Sequence, residues 1–308
     1  MAKKTRPPIL PSNPADPTGV DKLERGAMRE FTRRMKRVAR LYKAALERIP
    51  AGPAVNRRYS YQLDQFLLSM LLGELDQAVD NIIFGDMDGN LWFFDQYVEV
   101  AATRGTAQAF ANLSQQSPAY RAGRESVQNI LRSEAYRRRM ALVRARVFEE
   151  MKGLSGGVKA DMARALTDGV GRGLNPREVA RNLTEQVSIE TRRAHKIARS
   201  EVTTALRRAR WDEAEEAQEE YGLQTKLMHM SALSPTTRAS HADRHARLST
   251  VEQVRDWYSQ DGNSINCKCS QTEVMVDDDG KPIVPGIVAR AKQTKQKMEA
   301  RGYAWAKE

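Results

Sequence analysis

The chain has little of what usually marks a function. Its 308 residues include two cysteines, four histidines and only 6% aromatic residues. Two thiols in such a length make no disulfide framework, which fits assembly in a reducing cytoplasm. No apolar run approaches the roughly 20 residues that span a bilayer, so no membrane association is expected. The opening Met-Ala-Lys-Lys-Thr-Arg-Pro-Pro is basic but leads into no apolar stretch, so a secretory signal is not expected either. There is no internal repeat and no glycine-rich phosphate cradle. Asp86-Met87-Asp88-Gly89-Asn90 starts like a calcium loop, but Leu91 stands where that loop needs glycine and Tyr97 where it needs its bidentate glutamate. It reads as a turn.

Against this background the metal-capable side chains are concentrated. His241 and His245 stand four apart, and Asn266-Cys267-Lys268-Cys269 holds both cysteines, all within 29 residues. Histidines at i and i+4 of a helix share a face, and alternate residues of a strand point to one side. A Cys-x-Cys pair makes a poor disulfide, because the ring would be very tight. Two thiolates and two imidazoles compose the tetrahedral shell of structural zinc, so His241, His245, Cys267 and Cys269 are the predicted ligands of a closed, non-catalytic site. The same spacing also fits two buried free thiols beside two solvated histidines.

Charge is as unevenly placed. The net charge is +11, and up to Ser60 there are 15 Lys/Arg against 5 Asp/Glu, leaving 35 against 34 for the rest. The first 20 residues carry five prolines and few apolar groups, and read as an extended basic arm without a core of its own. Asp21 to Ile49 reads as an amphipathic helix, with Met28, Phe31, Met35, Val38, Tyr42, Ala45 and Ile49 inward. Arg25, Arg29, Arg33, Arg34, Lys36, Arg37, Arg40 and Lys43 cover its other faces, and between Arg25 and Lys43 only Glu30 opposes them. Such a face is either simply solvated or binds double-stranded DNA in a sequence-independent, salt-dependent way. No base-reading motif accompanies it.

The remaining helices are predicted at 61–83, 91–111, 121–152, 158–172, 176–186, 189–221 and 288–301, with a flexible joint at Gly153 to Gly157. Asn175 and Pro176 form a helix start, and Gly222 a stop. From Leu223 the texture changes. Strands are predicted at 225–230 and 267–276, a short helix or loop at 237–247, a short helix at 250–259, and a hairpin turn at Asp279-Gly280. The predicted fold is mainly α: long helices in the N-terminal and central region, then a small α+β C-terminal module knit by zinc. The predicted domains are an arm (1–20), a helical domain with a basic surface helix (21–155), a domain carrying the Cys/His module (156–285) and a C-terminal helix and tail (286–308).

Four segments occur in a telling order: Gly173-Leu174-Asn175-Pro176-Arg177-Glu178-Val179-Ala180, Ile197-Ala198-Arg199-Ser200-Glu201, Ser234-Pro235-Thr236-Thr237-Arg238-Ala239-Ser240-His241, and Asn266-Cys267-Lys268-Cys269. The series resembles the phage head-morphogenesis (minor head protein) family typified by the Mu F-like proteins, over about Gly173 to Ile283. Ser234 departs from that family's usual aspartate, and Lys268 replaces its usual arginine. His241, Cys267 and Cys269 are the zinc-ligand positions that carry over most directly, His245 less so.

The resemblance implies a structural virion component rather than an enzyme, with no catalytic residues. It would sit in the capsid interior after assembly in the host cytoplasm, and act in procapsid assembly, DNA packaging and ejection. The implied partners are the portal protein, a scaffolding or major capsid protein, and non-specifically held double-stranded DNA. Two alternatives stay open. A metal-dependent nuclease would use His241, His245 and Asp243, although hydrolytic phosphodiester sites favour carboxylates and open positions. A zinc-containing DNA-binding protein would need a reading helix, and none directly follows the cysteines.

Overall fold

The computed structural model describes residues 5–85 and 90–306. The aborted calcium loop therefore lies largely outside the described residues. Ten α-helices and one three-stranded antiparallel sheet make up the described chain, so the mainly-α expectation holds. The helices are α1 (Asp21–Glu47), α2 (Gln65–Phe84), α3 (Glu99–Gln116), α4 (Pro118–Arg124), α5 (Val127–Arg132), α6 (Glu134–Gly171), α7 (Pro176–Tyr221), α8 (Ala239–Asp243), α9 (Val251–Ser259) and α10 (Ile287–Glu299). The strands are β1 (Thr225–Met230), β2 (Leu248–Ser249) and β3 (Ser270–Met275), in the order β2-β1-β3. A π-helical segment, Phe94–Val98, leads into α3. No described helix is long and apolar enough to cross a membrane.

By contacts the chain forms two compact units, each discontinuous in sequence: Met1–Glu24 with Tyr97–Val143 and Arg199–Glu308, and Arg25–Gln96 with Arg144–Ala198. Among the described residues, the second unit holds helices and no strand of the sheet. Phe31, Met35, Val38 and Tyr42 of α1 are fully buried, as the period of the sequence requires. Phe31 meets Trp92 and Phe93 edge-on, with ring centroids 4.9 and 5.1 Å apart. Asp64 caps α2 by accepting from the Leu67 N–H, which is why that helix starts four residues later than its apolar pattern. Asn175 caps α7 in the same way through the Arg177 N–H, with Pro176 as first helical residue.

Two helical expectations need correction. The single helix predicted over 121–152 is three pieces. Glu125 takes a left-handed φ of 56°, and the hydroxyls of Ser126 and Ser133 cap new starts by accepting from the N–H groups of Asn129 and Tyr136. Conversely, Gly153 to Gly157 is not a joint but the middle of α6, so the boundary drawn at 155/156 falls inside a helix. Leu154, Val158 and Met162 are fully buried along that face, and this burial outweighs the weak helix propensity of glycine. Likewise 176–186 and 189–221 join into one helix of 46 residues.

The first unit carries the sheet. Gly105 of α3 lets that helix approach α7 closely, since a Cβ there would lie 2.3 Å from the Leu206 carbonyl oxygen. β3 packs on α3, and Glu273, though fully buried, is held by Arg210 at 2.9 and 2.6 Å and by the Asn112 amide at 2.7 Å. The N-terminal segment, read as an extended arm, carries no helix or strand over residues 5–20 but turns between Asn13 and Gly19, and it is bound down rather than solvated. The Ile9 N–H donates to Asn112 Oδ1, the Leu233 N–H donates to the Pro14 carbonyl, and Thr18 and Val20 are fully buried.

Alanine at Gly105 should destabilise the protein by about 1–3 kcal/mol through overpacking. Alanine at Gly153 or Gly156, where a Cβ would meet nothing within 4 Å, should stabilise it by roughly 0.5–1 kcal/mol. Chemical denaturation of the three variants measures both. Destabilisation by Gly153→Ala would contradict a continuous α6.

Candidate metal centre

Three of the four predicted ligands come together, from two elements. Asn266 adopts a left-handed φ of 52°, a conformation asparagine tolerates better than most residues, and its N–H donates to Ser200 Oγ on α7. Beyond that kink the chain extends into β3, so Cys267 and Cys269 project to one side. His241 sits on the one-turn helix α8. Its Nδ1 lies 3.4 Å from Cys267 Sγ and 3.5 Å from Cys269 Sγ. All three residues are buried, and their ligand atoms lie within 4.8 Å of one another.

These distances are those of a metal shell. Metal–sulfur bonds of about 2.3 Å and metal–nitrogen bonds of about 2.0 Å at a tetrahedral angle leave N and S roughly 3.5 Å apart. The surroundings favour thiolate. The Arg207 guanidinium, fully buried, donates to the Cys267 carbonyl at 2.9 Å and stacks on Tyr258 at 4.5 Å. The Cys269 N–H points at Cys267 Sγ at 3.4 Å. Burial pushes the Cys267 thiol up, but the Cys269 thiol, Arg207 and His241 outweigh it and hold it well below the ordinary thiol range. Cys269 is pushed above that range by its hydrogen bond to Cys267 and by burial, so the bare pair keeps one proton.

His245 is not a fourth ligand, which corrects the sequence-based set. α8 ends at Asp243, before the i+4 position, so the two histidines do not share a helical face. The His245 ring is turned into the core, where Nδ1 accepts from the Ser231 N–H at 3.1 Å and Nε2 donates to the Ala291 carbonyl at 3.1 Å. Burial lowers its pKa to about 4, keeping it neutral. Asp243, the carboxylate of the nuclease alternative, pairs with Lys295 at 3.3 Å. His229 is a buried residue of β1, and its ring meets Trp257 edge-on at 5.4 Å. His195 is half-buried on α7 and bonded to Thr32 at 2.8 Å.

Sequence reasoning missed Arg199, Arg207, Trp257 and Tyr258 around the cluster. Trp257 meets His241 edge-on at 4.7 Å, and the Tyr258 hydroxyl lies 3.7 Å from Cys267 Sγ. Arg207 left a faint signal: it follows Leu206 on α7 at the phase that the apolar pattern assigns to the interior.

Of the eight cations proposed for nucleic acid, Arg25, Arg29, Arg33, Lys36, Arg37 and Arg40 are exposed and Lys43 is half-exposed, all within one compact unit. Arg34 does not belong with them. It borders the apolar face, bonds Glu30 at 2.8 Å and the Ile82 carbonyl at 2.5 Å, and stacks on Trp92 at 4.3 Å. Glu30 also pairs with Arg33.

Residues 160–272 match the family model described as phage Mu protein F like protein. The matched stretch runs from within α6 to within β3 and contains all three clustered ligands. Neither the curated proteins nor the solved structures yield a match.

Metal analysis of the purified chain should give roughly one equivalent bound. Cys267→Ser with Cys269→Ser should abolish binding and lower the melting temperature. His245→Asn should lower the melting temperature, because the Ser231 N–H or the Ala291 carbonyl loses its partner, yet retain the metal. Metal loss in His245→Asn would return that residue to the ligand set.

Proposed function

We propose that this chain is a minor head protein of a tailed double-stranded DNA phage, a structural virion component that acts in head morphogenesis at the portal vertex. The observation that carries the reading is the match to the phage Mu protein F like family over residues 160–272. Its weight is increased by geometry, because the Ile197–Glu201, Ser234–His241 and Asn266–Cys269 segments converge on one pocket rather than lying scattered over the fold. The metal we assign to His241, Cys267 and Cys269 is zinc, the borderline-soft ion that takes mixed thiolate and imidazole donors. Its role is to tie α8 to the approach of β3, in a module whose sheet is too small to supply much core.

The exposed cations of α1 are proposed to contact packaged DNA in the capsid interior. Their spacing favours phosphate contact along a groove-independent stripe: Arg25, Arg29, Arg33, Lys36 and Arg40 recur at three and four residues on one helical face. The nuclease reading draws less support, since the three residues it needs face different partners.

Mass spectrometry of purified heads and procapsids from the source phage should find this chain at low copy number relative to the major capsid protein. Its absence from both would refute the assignment. Binding of the purified chain to duplex DNA should weaken steeply with salt. Replacing Arg25, Arg29 and Arg40 by alanine should flatten the log–log slope by about 3. An unchanged slope would remove α1 as the contact.

A further inference from the structure

The Cys/His cluster has one open side. A pocket of about 90 Å³ lies against it, floored by His241, Cys267 and Cys269. That is room for about three water molecules. Three cationic side chains line it, Arg199, Arg238 and Lys268, and no acidic residue does. Two of the three cations are already committed. Lys268 pairs with Asp21 at 2.5 Å and Glu24 at 3.5 Å. Arg238 donates to the carbonyls of Gly262, Asn263 and Ile265 at 3.0–3.2 Å, closing the loop before the cysteines. Arg199 is different. Its guanidinium has no ion pair or side-chain hydrogen bond among the described residues, and its Nε is buried without a partner.

A half-buried arginine without an anion, beside a metal shell with three protein ligands, is an incomplete arrangement. Zinc takes four ligands, and a site with three from the protein keeps one position for an exogenous group. Two thiolates and a neutral imidazole on a divalent ion leave no net charge at the floor. Arg199 therefore supplies the uncompensated positive charge of the pocket. A guanidinium fork matches the oxygens of a tetrahedral oxyanion, and such charge-assisted bonds are the stronger kind.

We propose that this pocket binds a small oxyanion of the phosphate type, held between the fourth position of the metal and the guanidinium of Arg199. The proposal rests on the metal reading of His241, Cys267 and Cys269. It gives Arg199, the central residue of the Ile197–Glu201 segment, a binding role instead of a packing one. It also makes the centre a ligand-responsive site, not a closed staple.

The test uses the full chain reconstituted with cobalt(II), whose visible absorption reports its ligands, in a non-coordinating buffer. Titration with inorganic phosphate should change the visible bands saturably. Arg199→Ala should bind the same amount of cobalt and require roughly tenfold or more phosphate for the same change, with Arg199→Lys between the two. Cobalt bound with a spectrum indifferent to phosphate overturns the proposal and leaves the metal centre standing. A response in Arg199→Ala equal to that of the unaltered chain also overturns it. No cobalt bound by the unaltered chain overturns the metal reading and this proposal together. A 5′-phosphorylated oligonucleotide, compared with its unphosphorylated twin, separates the sources. A response specific to the phosphorylated form identifies a DNA end, and a response to inorganic phosphate alone identifies the free ion.

Discussion

Two buried arginines of α7 set the geometry on which the candidate site depends. Arg207 and Arg210 stand three residues apart and almost wholly out of water, where an unpaired charge costs several kcal/mol. Arg210 is answered by the carboxylate of Glu273 on β3. Arg207 is answered by backbone carbonyls of the segment that leads into that strand, including Cys267 and Cys269. A slip of one residue along β3 would take the Glu273 carboxylate from Arg210, shift the carbonyls that Arg207 reaches, and turn every side chain of the strand to its other face. The register of the cysteines is therefore fixed by polar contacts that involve no cysteine thiol.

The same arrangement explains why the two thiols differ although their burial is alike. Arg207 and the ring of His241 both lower the energy of charge on Cys267, while Cys269 keeps the proton the pair shares. A divalent ion bound between the thiols would replace that proton and neutralise the remaining charge. Around it Trp257 and Tyr258 exclude water on the core side. The other side is left to Arg199 and the loop held by Arg238.

The cations of this protein have three distinct fates, and net charge alone distinguishes none of them. Arg34, Arg124, Arg139, Arg207 and Arg210 hold structure together through carboxylates, carbonyls or ring faces. Arg124 alone bridges Glu213, Glu216 and Glu220 along α7. The exposed stripe on α1 remains available for a polyanion. Arg199 lines the pocket over His241, Cys267 and Cys269. The sorting follows helical phase: an arginine at the border of an apolar face buries its stem and finds a fixed partner, and one a few residues away stays in water.

Sequence by itself determined the helical class, the inward face of α1, the caps at Asn175 and Gly222, strand β1 and the hairpin after β3, because period and turn chemistry are local properties. It also picked out His241, Cys267 and Cys269, since few residue types bind metal through thiolate and imidazole. Only tertiary structure decided the rest. The glycine-rich stretch 153–157 became helix because Leu154 and Val158 had a core to enter. The region after 121 broke into pieces because serine hydroxyls found backbone donors to cap. His245 left the ligand set because one ring could satisfy two backbone groups in the interior, while helix α8 ended too soon to hold it beside His241. The helical glycine segment and the turn of His245 rest on partners distant in sequence, which no local pattern records, whereas the serine caps are local contacts that a continuous helix would have forgone.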